Sequence, residues 1–217
     1  MGGSAGAPNI EGCAWDLSEG RTVLFDGTSL DQWTALAGGP APWTLDTAEK
    51  VVEVKPSSGN IQTKLTFEDL CVHLEYLTPM YPSSVTGQER GNSGVYLKSA
   101  YEMQVLDSFG QPAANNTCGA VYGVQAPLTV ACHEELVWNT YEIHFEGSEW
   151  TGNDKSKNAR IVSATLNGKL VQQNVELNPP NDSTQAGVPD APGPKPLMLQ
   201  DHNNPVRFRN IWVRVPK

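Results

Sequence analysis

The stretch GNSGVYLKSAYEMQVLDS, residues 91–108, contains two short runs in which apolar and polar side chains alternate. Residues two apart lie on the same face of a β-strand. In the first run this alternation puts Val95 and Leu97 on one face and Asn92 and Tyr96 on the other. The first run therefore predicts a strand with one apolar face and one polar face.

The second run repeats the pattern directly after it. Tyr101, Met103 and Val105 share its apolar face. Glu102 and Gln104 share its polar face, so the two runs predict neighbouring strands with matching sides. Amide, carboxyl and phenol groups make oriented hydrogen bonds to hydroxyls, which indicates a polar row for a ligand. The alternative is the ordinary solvent-exposed side of a half-buried sheet.

Similar runs extend along the whole chain. Residues 159–173 predict a hairpin that turns at Asn167-Gly168, the strongest short hairpin signal. No helical period of useful length is present. Many short strands at close spacing predict an all-β sandwich of two antiparallel sheets. The other predicted strands lie at 22–25, 51–54, 61–65, 71–78, 137–147, 196–202 and 206–215.

The bulk composition suits one domain with a sizeable core. The chain has 217 residues, of which 39% are hydrophobic and 18% charged. We expect an N-terminal arm over 1–20 and a single domain over 21–217. The net charge of -9 argues against nucleic acid as a partner. No stretch approaches the ~20 apolar residues of a membrane span, so we expect no membrane partner.

Four cysteines are present, at Cys13, Cys71, Cys118 and Cys132. None forms a CxxC pair, which argues against a zinc knuckle. An even count without metal spacing predicts two disulfides formed in an oxidising compartment. Cys118 with Cys132 would close a local loop, and Cys13 with Cys71 would tie the N-terminal arm to a strand. The alternative is four buried free thiols.

Asn115 and Asn181 each begin an N-glycosylation sequon in a polar, turn-rich stretch. The first residues carry no signal-peptide pattern, and we expect that such a peptide has been removed. Together with the cysteines, the sequons predict a secreted or periplasmic glycoprotein.

Motifs for several common chemistries are absent. The sequence has no GxSxG, HExxH, P-loop or GxGxxG following a strand. Glu102, Asp107, Asp201 and His202 could supply metal ligands, but they form no compact ligand motif. A divalent cation therefore stays an open alternative, and no other cofactor is predicted.

Seven blocks of the sequence follow one another in a recognisable order. They are VLFDGTSLDQW (23–33), RGNSGVYL (90–97), YEMQVLDS (101–108), CGAVYG (118–123), WNTYEIHFEG (138–147), ATLNGKLV (164–171) and LQDHNNPVRFRNIWV (199–213). In this order they resemble the 3-keto-disaccharide hydrolase family, over roughly residues 22–215. The resemblance implies a concanavalin-A-like jelly roll with a ligand groove on its concave face. It also implies action on 3-keto glycosides, with an oligosaccharide or glycoside as substrate.

The resemblance also implies the residues of the groove. The chain departs from the family pattern in its extended segment at 178–196 and in its four cysteines. By motif position the groove would carry Arg90, Asn92, Tyr96, Glu102, Gln104, Asp107, Tyr122, His144, Gln200, His202 and Arg209.

A 3-keto sugar has an acidic proton at C2, so a base could remove it and expel the oxygen at C1. In this interpretation Glu102 is the base and His202 the acid for the leaving group. Gln104 or Arg90 would stabilise the enolate, or a divalent cation would replace them. Asp107 is the candidate ligand for such a cation.

A two-carboxylate glycosidase is the variant within the enzyme class. Glu102 and Asp107 are the nearest carboxyl pair in sequence, but five extended residues span ~17 Å and odd spacing puts the two on opposite faces. Glu142 or Asp201 could approach Glu102 from another strand. Two further hypotheses are a carbohydrate-binding module without catalysis and an extracellular scaffold without a ligand.

Overall fold

A computed structural model describes residues 13 and 20–216, and almost all regular structure in them is β-strand. Two single-turn 3-10 helices, Gly87–Glu89 and Pro180–Asp182, are the helical elements of this part of the chain. The fifteen strands are β1 Thr22–Phe25, β2 Trp33–Ala35, β3 Thr44–Asp46, β4 Val51–Glu53, β5 Ile61–Phe67, β6 Leu70–Leu77, β7 Ser93–Leu97, β8 Tyr101–Val105, β9 Asn139–Glu146, β10 Glu149–Thr151, β11 Asp154–Lys157, β12 Ala159–Leu166, β13 Lys169–Leu177, β14 Lys195–Leu199 and β15 Arg207–Arg214.

Two antiparallel sheets make up the domain. The larger has the order β13-β12-β9-β6-β15-β4-β3, with β1 paired to β15. The smaller has the order β2-β5-β14-β7-β8, and β10 with β11 forms a separate ribbon. The predicted all-β sandwich with a concanavalin-A-like jelly-roll fold is therefore confirmed.

The core lies between the two sheets. Val95, Leu97 and Met103 from the smaller sheet join one continuous apolar cluster with Tyr141 and Phe145 from the larger. All five side chains are fully buried. Each such side chain contributes roughly 1.5–3 kcal/mol relative to an exposed position. This burial fixes which side of β7 and β8 faces outward.

The β7–β8 hairpin sets the register of the outer face. Lys98 and Ser99, the first two of its three connecting residues, have φ angles of 52° and 56°, in the left-handed region that Asn-Gly turns favour. The sequence has no Asn-Gly signal at this turn. Instead, the turn carries a buried ion pair, in which the Lys98 ammonium donates to Glu68 Oε1 at 2.7 Å. The resulting register places Tyr96 directly opposite Glu102.

Several strands differ from the sequence expectation. The hairpin at Asn167-Gly168 is confirmed, with φ angles of 54° and 73°. Four strands were not predicted, namely β2, β3, β10 and β11. Each has only three or four residues, too few to display an alternation.

Both predicted disulfides are formed, Cys13 with Cys71 and Cys118 with Cys132. The rest of the expected arm, 1–12 and 14–19, lies outside the described residues. No helix of the described chain is long and apolar enough to cross a membrane.

Candidate functional site

Three side chains from adjacent strands meet on the outer face of the smaller sheet. The Tyr96 hydroxyl on β7 donates to Glu102 Oε2 on β8 at 2.7 Å. Gln200, directly after β14, donates from Nε2 to the Tyr96 hydroxyl oxygen at 3.1 Å. The Tyr96 hydroxyl thus accepts one hydrogen bond, from Gln200, and donates another, to Glu102.

Gly94 leaves the space that the Glu102 carboxyl fills. A Cβ at position 94 would lie 2.5 Å from Glu102 Oε1 and 2.8 Å from Tyr96 Cε2, closer than real Cβ contacts. Gly94 has no positive φ, so this close approach is the reason for glycine here. The two carboxyl oxygens thus differ, with Oε2 held by Tyr96 and Oε1 lying against Gly94.

The Glu102 carboxyl is almost fully buried, with 3% of the residue exposed. Burial raises the pKa of Glu102 from 4.5 to about 7, against a smaller lowering by the Tyr96 hydrogen bond. A carboxyl group with a pKa near neutrality can both take and return a proton at physiological pH. The position is therefore suited to general acid–base chemistry.

A groove of about 320 Å³ opens above these groups. Its size is at the lower end of the range for small-molecule sites, roughly 300–1,000 Å³. Of the predicted residues, the structure brings six together here: Asn92, Tyr96, Glu102, Tyr122, Gln200 and His202. The remaining lining residues are Gln88, Glu89, Gln185 and Ala186.

An amide network closes one end of the groove. Gln88 Oε1 accepts from Asn92 Nδ2 at 3.1 Å and from Gln104 Nε2 at 3.0 Å. Gln104 Nε2 also donates to the carbonyl of Asn116. Gln104 is fully buried and does not line the groove. It supports Gln88, so the predicted direct contact of Gln104 with a reacting sugar does not fit this position.

Among the buried polar atoms of the described residues that lack a hydrogen-bond partner are three at or beside the groove: Gln104 Oε1, Gln200 Oε1 and His202 Nδ1. Leaving such an atom unsatisfied costs about 1–3 kcal/mol. Gln200 and His202 both line the groove. These two atoms are available to the hydroxyls of a ligand.

Arg90 and Asp107 lie outside the groove. The Arg90 guanidinium bonds the carboxylates of Asp107 and Glu135, and it donates to the carbonyls of Tyr81 and Pro82. Arg90 therefore pins the segment before β7 instead of reaching a ligand. The Asp107 carboxylate faces the Arg90 guanidinium and does not line the groove, and its role as a cation ligand stays a prediction.

His144 and Arg209 belong to the larger sheet, on β9 and β15. His144 pairs with Cys71 across the strands. Arg209 bonds Glu75 at 2.7 Å and stacks over the ring of Trp138 at 4.0 Å. The family resemblance placed both residues in the groove, and alternation within a strand does not tell one sheet from the other. Neither residue lines the groove.

Sequence reasoning missed Gln88, Glu89, Gln185 and Ala186. They lie in segments with no strand period: Gln88 and Glu89 in the first 3-10 helix, Gln185 and Ala186 in the segment 178–196. The extended length of 178–196 was the one available signal for the latter pair.

Within residues 13 and 20–216, one group of three metal-type side chains lies close together: Cys13, Cys71 and His144. Its two sulfurs are joined in a disulfide. Glu102 and His202 are the predicted metal-type side chains that remain in the groove.

A candidate glycosyl hydrolase from Parabacteroides distasonis is 32% identical to this chain. The match has a TM-score of 0.78 and covers 90% of this chain and 83% of the other. Two further candidate glycosyl hydrolases from that organism are 17% and 20% identical, with TM-scores of 0.67 and 0.61. They cover 91% of this chain and 94% and 100% of their own, and show the shared fold.

No curated protein is significantly similar in sequence. Residues 20–214 match the 3-keto-alpha-glucoside-1,2-lyase-like domain. This range includes every residue of the groove, and it agrees with the resemblance in the seven sequence blocks. The chain is a carbohydrate-active protein, and it belongs to the 3-keto-alpha-glucoside-1,2-lyase-like family.

Proposed function

We propose that the protein cleaves the glycosidic bond of 3-keto glycosides by proton abstraction at C2, with Glu102 as the base. The observation that carries this proposal is the buried Glu102 carboxyl on the floor of the groove, with a pKa of about 7. A site that only holds hydroxyls has no need of a carboxyl group poised between its two protonation states. Family membership supplies the substrate class.

The proposed reaction balances without an external oxidant. The C3 carbonyl acidifies the C2 proton, which passes to Glu102. The electron pair of the C2–H bond forms the C1=C2 double bond as the C1–O bond breaks. The leaving oxygen takes a proton from His202, which lines the same groove. Addition of water across C1=C2 would return the 3-keto sugar and complete a net hydrolysis.

The two oxygens of Glu102 would have separate tasks. Oε2 accepts a hydrogen bond from the Tyr96 hydroxyl, whose oxygen in turn accepts one from Gln200. Oε1 lies against Gly94 and is the oxygen assigned to the substrate proton. Tyr96 would thus orient the base while keeping its carboxylate form accessible near neutral pH.

Negative charge develops on the C3 oxygen when C2 loses its proton. Gln104 and Arg90 were the predicted donors to this oxygen, but both lie outside the groove lining. Tyr122 lines it and carries a phenol donor, and we assign this role to Tyr122. Asn92 also lines the groove, but its amide already donates to the backbone carbonyl and to Oε1 of Gln88. A divalent cation would supply the same stabilisation, and its contribution is measured by the metal arm of the experiment below.

Secretion is part of the proposal. Two disulfides are formed, which is typical of proteins in an oxidising compartment. The sequon residues Asn115 and Asn181 are both exposed. Mass spectrometry of protein purified from its native source tests this placement, because intact disulfides and glycans on Asn115 and Asn181 are expected.

The deciding experiment compares a 3-keto disaccharide with its unmodified parent, each with a chelator and with added divalent metal. Release of sugar from the keto substrate alone supports the proposal. Binding of either sugar without release in any condition would instead identify a carbohydrate-binding module. Equal release from both substrates would contradict the requirement for the C3 carbonyl.

A further inference from the structure

Glu102 lies where two covering segments meet on the free edge of the smaller sheet. β8 is the edge strand, so its outward backbone groups have no strand partner in that sheet. The Glu102 N–H donates to the Thr184 hydroxyl at 3.0 Å. The Glu102 carbonyl accepts from the N–H of Tyr122, in the second covering segment (residues 119–122), at 3.1 Å. Both outward groups of the proposed base are therefore bonded, one by each segment.

The first covering segment, 182–190, is attached closely to β8 and its turn. Thr184 N–H donates to the carbonyl of Ala100 at 2.9 Å, and the Thr184 hydroxyl donates to the same carbonyl at 3.1 Å. Val188 N–H donates to the carbonyl of Ser99 at 2.8 Å. A Cβ on Gly187 would lie 2.2 Å from the carbonyl oxygen of Ala100, so only glycine allows this approach.

Buried polar contacts fasten one end of the segment. The Asp190 side chain is fully buried and accepts from the hydroxyls of Tyr101 at 2.9 Å and Ser148 at 2.5 Å. The Lys98 ammonium lies 3.4 Å from the same carboxylate. Thr184 is itself 3% exposed. These contacts hold the segment as a fixed part of the fold.

The segment places Gln185 and Ala186 in the lining of the groove. We propose that the segment 182–190 is a clip that shields Glu102 from water, and that Thr184 is a positioning residue acting through the Glu102 backbone. The consequence for catalysis rests on the proposed function, whereas the shielding itself does not.

The amino-acid composition of the clip indicates that it acts on Glu102 by excluding water and not through a charge of its own. None of residues 183–189 is titratable, since their sequence is STQAGVP. Burial is the main cause of the raised pKa of Glu102. The Ala186 amide lies near the Tyr96 hydroxyl, whose pKa it lowers slightly against a large rise from burial. The clip thus contacts the backbone of Glu102 and the phenol that orients its carboxyl.

The titratable groups that face Glu102 all come from other elements. Tyr96 lies on β7, Tyr122 on the second covering segment, and Glu89 and His202 line the rest of the groove. Tyr141 lies beneath on β9 and senses the Glu102 charge. None of these groups is removed when Thr184 is changed. A shift in the pKa of Glu102 after that change therefore reports access of water.

The test compares Thr184→Val, which keeps the shape but loses the hydroxyl, with Thr184→Ser, which keeps the hydroxyl. Thr151→Val on the exposed strand β10 is the control. The carboxyl carbon of Glu102 is titrated by NMR without substrate. Thr184→Val should lower the pKa of Glu102 by about one unit toward its ordinary value, and Thr184→Ser should restore it.

Hydrogen exchange of the Glu102 backbone amide gives a second readout, which is informative in the wild-type protein alone and can be compared with Thr184→Val. The clip predicts slow exchange, and at least about tenfold faster exchange in Thr184→Val. A wild-type amide that exchanges as fast as an exposed one overturns the proposal. A folded Thr184→Val protein with an unchanged pKa at Glu102 also overturns it. Absence of sugar cleavage by the wild type would remove the proposed function and leave both readouts valid.

Discussion

The Tyr96 hydroxyl donates to Glu102 Oε2 across neighbouring strands, at 2.7 Å. The contact follows from a turn at Lys98-Ser99 that puts the two residues directly opposite each other. It has two consequences. It favours the charged form of a carboxyl whose burial favours the neutral form. It also leaves Oε1 as the oxygen for a substrate proton.

Glu102→Gln should abolish sugar release while binding persists, because the amide keeps the shape but cannot take a proton. The loss expected for a general base is about 10²–10⁴-fold in kcat. Steady-state kinetics and calorimetric binding of a 3-keto glycoside measure both quantities. Glu149→Gln, at an exposed site on β10, is the matched control and should retain full activity. Full activity in Glu102→Gln would exclude this residue as the base.

The pH profile of kcat/KM should rise through a pKa of about 7, since Glu102 must be charged to act. The Tyr96 hydrogen bond lowers that pKa. Tyr96→Phe should therefore move the acidic limb to higher pH and reduce activity most at neutral pH. The profile is measured for both proteins on the same substrate. A limb that moves to lower pH in Tyr96→Phe would contradict the assigned hydrogen bond.

Stability should respond to pH at the same residue. Folding raises the pKa of Glu102. Its stabilising contribution to the free energy of unfolding is therefore fully present below pH 4.5 and is lost as the pH rises through about 7. Glu102→Gln removes the buried charge at high pH. Its free energy of unfolding should therefore exceed that of the wild type at pH 8, by up to about 3 kcal/mol, with a smaller difference at pH 5. Denaturant unfolding at both pH values measures this, and a difference independent of pH contradicts it.

Gly94→Ala should lose activity and stability together. The added Cβ would meet Glu102 Oε1 at 2.5 Å and displace the carboxyl. Overpacking of this kind costs about 1–3 kcal/mol. A double-mutant cycle with Glu102→Ala provides the control, since part of the cost should disappear when the carboxyl is absent. Strict additivity of the two changes would show that the contact has no energetic role.

The sequence predicts the polar face of β7 and β8 because alternation against a buried apolar face leaves little freedom. Val95 and Met103 can only face the core, so Tyr96 and Glu102 face outward together. The mutual register depends on the turn at Lys98, whose positive φ has no sequence signal of the Asn-Gly kind. The hydrogen bond itself could not have been read from spacing.

The sequence does not predict which of the two sheets each strand joins. The alternation of His144 with Ile143 is as regular as that of the groove residues with their neighbours. His144 nevertheless lies on the larger sheet. Strand order is set by long-range pairing, which a local period does not encode. Gln88 and Gln185 enter the groove from irregular segments. Only the fold brings such residues to the site.

Measuring how much deuterium from the solvent is incorporated at C2 of the product tests the central claim most directly. The wild-type protein is incubated with a 3-keto disaccharide in D₂O, and the released sugar is analysed by NMR at once. Glu102→Gln serves as the measure of spontaneous exchange. Abstraction by Glu102 predicts loss of the original C2 hydrogen, either as deuterium at C2 or as a C1=C2 double bond, above the level in substrate incubated with Glu102→Gln. Release of sugar with no loss above that level would contradict the account.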